Sequence, residues 1–131
     1  MYLTTYVFND IMKFMKWQIL FQDDFNNEFD ELNEIVQNEC LAHLKVLEKF
    51  GPELGRPHVD TLKGSKHANM KELRFKADQG VWRLAFAFDP MRKAILLIAG
   101  DKSGGSEKRF YKELIKKADQ RFDKHLSNLK K

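Results

Sequence analysis

The chain has 131 residues, 43% hydrophobic and 32% charged, with a formal net charge of +4. That length suits one domain able to bury roughly two thirds of its unfolded surface without staples, and the composition excludes a disordered chain. Cys40 is the only cysteine, which excludes an intrachain disulfide. No apolar run approaches the ~20 residues that span a bilayer. With no secretory leader legible at the N-terminus, a reducing cytoplasm is the expected compartment.

The charge is unevenly spread. Residues 1–62 carry 5 Lys+Arg and 11 Asp+Glu, a balance of −6, and residues 63–131 carry 18 and 8, a balance of +10. A basic second half suggests a polyanion as partner, the alternative being a solvated charged surface.

Residues 1–14 show a short apolar run without clear period. They are read as an N-terminal extension, with Met12 and Met15 as alternative starts, before a single domain over 15–131. Trp17 to Phe21 reads as a short strand. Asp23 or Asp24 is a reasonable N-cap for a helix whose apolar residues Phe25, Phe29, Leu32 and Val36 step by helical spacing. Cys40, Leu44 and Leu47 continue the stripe until Gly51-Pro52. A break near Leu32–Glu34 would turn this length into a helical hairpin. The following twenty residues hold three Gly and two Pro, so they are loop with a short strand at best. His58 and His67 lie in that loop.

Three strand-like runs come next: KELRF from Lys71, VWRLAFAF from Val81, and AILLIAGDK ending at Lys102. Short turn signals join them, which predicts an antiparallel meander. Strand side chains alternate faces, so Leu73, Phe75, Trp82, Leu84, Phe86 and Phe88 share a large apolar face expected to pack on the hairpin. Arg74 and Arg83 fall on the other face among alanines, with no bulky side chain to fill it. That second face is expected to be a floor for an anionic ligand. Ser106 can cap a final helix, with Phe110, Leu114, Ala118 and Phe122 in one apolar line among many lysines.

Zinc spacing, a carboxylate cluster for magnesium, a P-loop and a nucleophile elbow are all absent, so no metal or cofactor is expected. What the residues offer is a set of cations with a phenol: Arg74, Arg83, Lys102, Lys108 and Tyr111. Such a set can cleave RNA without metal. The ribose 2′-OH attacks its own phosphate while arginine forks neutralise the transition state. A lysine crowded by cations could act as base, and a tyrosine could relay a proton or stack on a base. A non-catalytic phosphate-binding module fits the same composition.

The stretch GPELGRPHVDTLKGSKHANMKELRF, then VWRLAFAFDP, then ILLIAGDKSGGSEKRFY and the last helix, resembles the RelE/ParE toxin superfamily, in its HigB-like branch with phage-related members. The resemblance covers about Trp17 to Leu129. It implies an α+β fold: an N-terminal helical hairpin on one face of a small twisted, mainly antiparallel sheet, a C-terminal helix, and a concave basic second face. It implies a type II toxin that cuts messenger RNA on the ribosome without a metal, held in check by a cognate helix-turn-helix antitoxin. Arg83 matches the strand arginine that contacts the scissile phosphate. Lys102 and Tyr111 match a basic residue and a tyrosine of related sites, and Arg74 matches the ELR arginine of this branch. Lys71, Lys76, Lys108, Arg109 and Lys112 are the expected RNA contacts. The histidines that some HigB-type toxins use as acid or base have no secure counterpart. Two other readings share the fold: a ParE-like toxin directed at DNA gyrase, and a non-enzymatic phage-type binding protein.

Overall fold

The alternating runs form the middle of a five-stranded sheet in the computed structural model, which describes residues 16–131; the expected extension over 1–14 and the alternative starts Met12 and Met15 lie outside the described residues. Strands β3 (Lys71–Ala77), β4 (Gly80–Phe88) and β5 (Lys93–Asp101) are the expected meander. Asp78 and Gln79, both at positive φ, make the first turn, as a two-residue hairpin requires. In the second turn Asp89 Oδ1 accepts from the backbone N–H of Met91 and Lys93. Short β2 (Val59–Thr61) adds antiparallel to β3, and β1 (Gln18–Phe21) pairs in parallel with β5. The spatial order is β1-β5-β4-β3-β2.

One face carries the helical hairpin, α1 (Asp23–Asp30) and α2 (Glu34–Phe50). The N-cap of α1 is Gln22, not Asp23 or Asp24. Its Oε1 accepts from the N–H of Asp24 and Phe25 at 3.0 and 3.2 Å, and the two aspartates occupy the first turn, where the helix dipole favours negative charge. The break falls where spacing places it, with Asn33 capping α2 through Val36 N–H at 2.9 Å. Gly51 ends α2 at φ 57°, where a Cβ would also strike the Trp17 ring. Phe25, Val36, Cys40, Leu44 and Leu47 pack on Leu73, Phe75, Leu84 and Phe86, while Trp82 and Phe88 are half-buried at the margin. Burial pushes the Cys40 thiol up to about 12, so this cysteine is a packing group.

The second face is not an open floor. Helix α3 (Glu107–Leu129), capped by Ser106, lies across it. Ala85, Ala87, Ile95 and Leu97 are fully buried beneath Leu114, Ala118 and Phe122, with Leu62 and Met70 closing one side. The alanines are small because a helix rests on them; Phe122 and Leu114 supply the bulk that the strands lack. A β-bulge opposite Ala85/Phe86 places Leu97 and Ile98 together on this side. Polar clamps fasten α3 at its edges. Arg121 bridges Glu28 and the Leu97 carbonyl, His125 meets Asp89 at 2.8 Å, and Asp119 and Asp123 hold Ser65, Lys66 and His67 of the β2–β3 loop.

Because this second core is real, Phe122→Ala should lower unfolding free energy by about 3–5 kcal/mol, the usual loss for a buried phenylalanine. Urea denaturation measures it. A change below about 1 kcal/mol, the scale of an ordinary surface substitution, would mean that α3 does not seal the sheet.

Candidate functional site

Arg74 on β3 and Arg83 on β4 sit directly opposite each other. The Arg74 N–H turns away to the His58 carbonyl on the β2 side, so the two arginines form a non-hydrogen-bonded pair, the closer kind, with Cα atoms about 4.5 Å apart. Like charges in that position repel. Glu72, two residues before Arg74 on the same face, separates them. Its Oε1 lies 3.1 Å from Arg83 Nε and its Oε2 3.6 Å from Arg74 Nη2. Tyr111, reaching down from the first turns of α3, donates its phenol to the same Oε1 at 2.7 Å and accepts from Arg83 Nε at 3.2 Å. Glu72 is 4% exposed, so this is a buried, hydrogen-bonded charge cluster.

The cluster continues outward. Asp60, paired with Glu72 across β2 and β3, contacts Arg74 at 3.4 Å and Arg56 at 2.8 Å. Arg56, Asp60, Lys63, Glu72, Arg74 and Tyr111 line a cleft of about 280 Å³. Arg74 Nε is buried there with no hydrogen-bond partner among the described residues. Burial, and then the hydrogen bond to Glu72, push the Tyr111 phenol above its ordinary range. Tyr111 is therefore a neutral proton donor. The hydrogen bond from Arg56 holds the Asp60 carboxyl below the usual range.

The other residues singled out by sequence are distributed differently from expectation. Lys102 is not crowded by cations: its ammonium pairs with Glu107 at 2.8 Å, which removes the argument for it as a base. That contact, helped by the Arg83 charge, lowers the Glu107 carboxyl. Lys71 has the parity of Leu73 and bonds Thr61, so it lies on the sheet face away from Glu72. Lys76 shares the face of Arg74 but lies beyond it, opposite Val81 and exposed. Lys108 and Lys112 are exposed on α3 beside Tyr111. Arg109 is about 200° round the helix from Tyr111 and lines a different pocket. His67 bonds Asp123, and His58 serves through its backbone.

Sequence reading missed Asp60, Arg56 and Glu107 as members of the site and took Glu72 only as a possible partner of Arg83. Alternation did place Glu72 beside Arg74. Nothing local marks Asp60, whose role follows from the β2–β3 register. Among the described residues no group of three or more His, Cys, Asp or Glu is placed to hold a metal ion, and no helix is long and apolar enough to cross a membrane.

The family model described as phage derived protein Gp49-like matches residues 27–123. Putative toxin HigB2 of Mycobacterium tuberculosis is 52% identical over 88 residues, 66% of this chain and 43% of that protein, so the match spans less than half of the relative. Putative toxin HigB3 of the same organism is 45% identical over 100 residues, 76% of this chain and 85% of that protein. No solved structure matches.

Two outcomes follow from the buried cluster. Glu72→Ala leaves Arg74 and Arg83 facing each other without an anion and should cost about 3–5 kcal/mol of stability, read by chemical denaturation. A loss under about 1 kcal/mol would mean that water already screens the pair. The second concerns Tyr111, whose folded pKa is raised above the unfolded value. Its contribution to stability is full below pH 10 and is lost as pH rises through the folded pKa. Ultraviolet titration of the wild type against Tyr111→Phe should show one of the three tyrosines ionising late.

Proposed function

The chain belongs to the Gp49-like, phage-derived family, and on that premise we propose that it is a HigB-like toxin of a toxin–antitoxin system and a metal-independent endoribonuclease that cuts messenger RNA on the ribosome. The observation that carries the reading is the Glu72–Tyr111–Arg83–Arg74 cluster, of which Glu72, Tyr111 and Arg74 line a polar cleft and Arg83 stands against Glu72 behind them. It gathers a neutral donor and two phosphate-binding forks around one carboxylate acceptor, with Tyr111 and Arg83 in direct contact and Arg74 at 3.6 Å.

The reaction assigns each group a task. Glu72 takes the proton of a ribose 2′-OH, and the freed oxygen attacks the adjacent phosphorus. Arg83 and Arg74 neutralise the charge gathering on the non-bridging oxygens through their guanidinium forks. Tyr111 gives its proton to the departing 5′-oxygen as the phosphorus–oxygen bond breaks. The products are a 2′,3′-cyclic phosphate and a 5′-hydroxyl. The proton on Glu72 then returns to the tyrosinate across their 2.7 Å contact, restoring both groups. Lys102, Lys108 and Lys112 flank the cleft and suit the neighbouring phosphates of the message.

The test is cleavage of a message on purified ribosomes with its new 5′ ends mapped, beside thermal unfolding of each variant. Tyr111→Phe and Arg83→Ala should each slow cleavage ~100-fold or more, the scale for losing one transition-state donor, with Tyr111→Phe keeping its fold. A folded, fully active Arg83→Ala protein would remove the proposal. Growth arrest without cleavage, accompanied by loss of gyrase supercoiling, would assign the chain to the gyrase-directed reading.

A further inference from the structure

The helical hairpin covers one face of the sheet and α3 the other, which leaves the sheet edges as seats for an antitoxin. Among the described residues, one edge of the sheet is only half covered by a strand. Strand β1 runs beside β5 from Gln18 opposite Lys93 to Phe21 opposite Leu96 and stops there. Gln22 ends it, because the glutamine caps α1 while its N–H reaches the Leu96 carbonyl. The next carbonyl, Leu97, is taken by Arg121 at 2.8 Å. From Ile98 onward no strand flanks β5 on that side among the described residues.

The direction of the open amides follows from register. Lys102 N–H donates to the Val81 carbonyl opposite it, and Gly100 lies opposite Arg83, so these residues turn their backbone groups toward β4. Ala99, the residue before Gly100, has the opposite parity and turns its N–H and C=O to the open edge. Beside that edge, between β5 and α3, is a pocket of about 390 Å³ with an apolar floor of Ile98, Phe110 and Leu114. A Cβ at Gly100 would come within 2.9 Å of Phe110, so the glycine lets the ring stand against the strand and form the pocket wall. Arg109 and Lys117 stand on the rim with Glu113 between them.

We propose that the uncovered half of β5 and this pocket receive an extended segment of the antitoxin as an added strand, with one apolar side chain in the pocket and an acidic residue on the Arg109–Lys117 rim. The inference rests on the chain being a toxin with a protein antitoxin, not on the cleavage chemistry. A peptide backbone satisfies both open groups of Ala99, and its alternate side chains meet the pocket at strand spacing. A nucleic acid backbone does not repeat that donor–acceptor pair at strand spacing, and an apolar floor gives its phosphates nothing. The seat lies on the flank of α3 away from Tyr111, so it is independent of the cleft.

The test uses the full chain and its antitoxin, each purified, in titration calorimetry. Ala99→Pro removes the outward N–H without touching the ladder to β4, and Lys117→Glu reverses the rim. Each should weaken antitoxin binding at least ten-fold, while Arg83→Ala should bind as the wild type does. In the wild-type protein, amide exchange at Ala99 should slow when antitoxin is added. That measurement decides the matter even where Ala99→Pro folds poorly. Wild-type affinity in folded Ala99→Pro and Lys117→Glu, or unchanged exchange at Ala99 in the complex, would overturn the proposal. So would protection of Ala99 by RNA in place of antitoxin, or protection in the free protein that grows with concentration, which would assign the edge to a second copy. Loss of cleavage in any variant bears on the nuclease reading and leaves this result separate.

Discussion

Two arginines face each other across neighbouring strands, and the protein keeps them there only because a buried glutamate lies between. Without Glu72 the pair would repel in a poorly solvated place, where charge interactions are stronger than in water. With it, the two cations are fixed in orientation around one carboxylate. In the proposed reaction, stability and chemistry draw on the same contacts. A buried ion pair of this kind adds little net stability over an apolar replacement, because desolvating the charges offsets most of their attraction. Its presence is better explained by what the fixed geometry can do.

The cluster also depends on α3. Tyr111 reaches Glu72 because the helix is seated on Ala85 and Ala87 by Leu114, Ala118 and Phe122. Large side chains at the two alanines would lift the helix and with it the phenol. The polar clamps at Arg121, His125, Asp119 and Asp123 fix the helix along the sheet, so the apolar core sets its height and the clamps its register. A cluster built this way is pre-formed by packing, with its polar groups on rigid elements.

The surface charge takes a different shape from the one composition suggests. Much of the positive charge of the second half is matched locally: Arg74 and Arg83 by Glu72, Lys102 by Glu107, Arg121 by Glu28. Lys63, Lys108 and Lys112 are exposed near the cleft. These can draw a polyanion toward the site over a distance set by salt, while the buried pairs are screened little. In the proposed function, attraction and chemistry are thus carried by different residues.

The strands, the hairpin with its break, the final helix and the apolar face of Leu73, Phe75, Leu84 and Phe86 were all legible in the sequence, since each follows from a period of two or of 3.6 within one segment. So was the placing of Arg74 and Arg83 together, away from that face. Three things were not. The alanine face looked empty because a strand's own sequence does not say what lies on it; α3 comes from 20 residues further on and fills it. The cap at Gln22 was hidden because a glutamine reaching its own helix is indistinguishable from an exposed one. The pairing of Asp60 with Arg56 and Arg74, and of Lys102 with Glu107, depends on register and loop closure between segments. Local pattern determines which face a side chain takes, but the charge that meets it there is supplied by another part of the chain, and only the folded structure brings the two within a few ångströms.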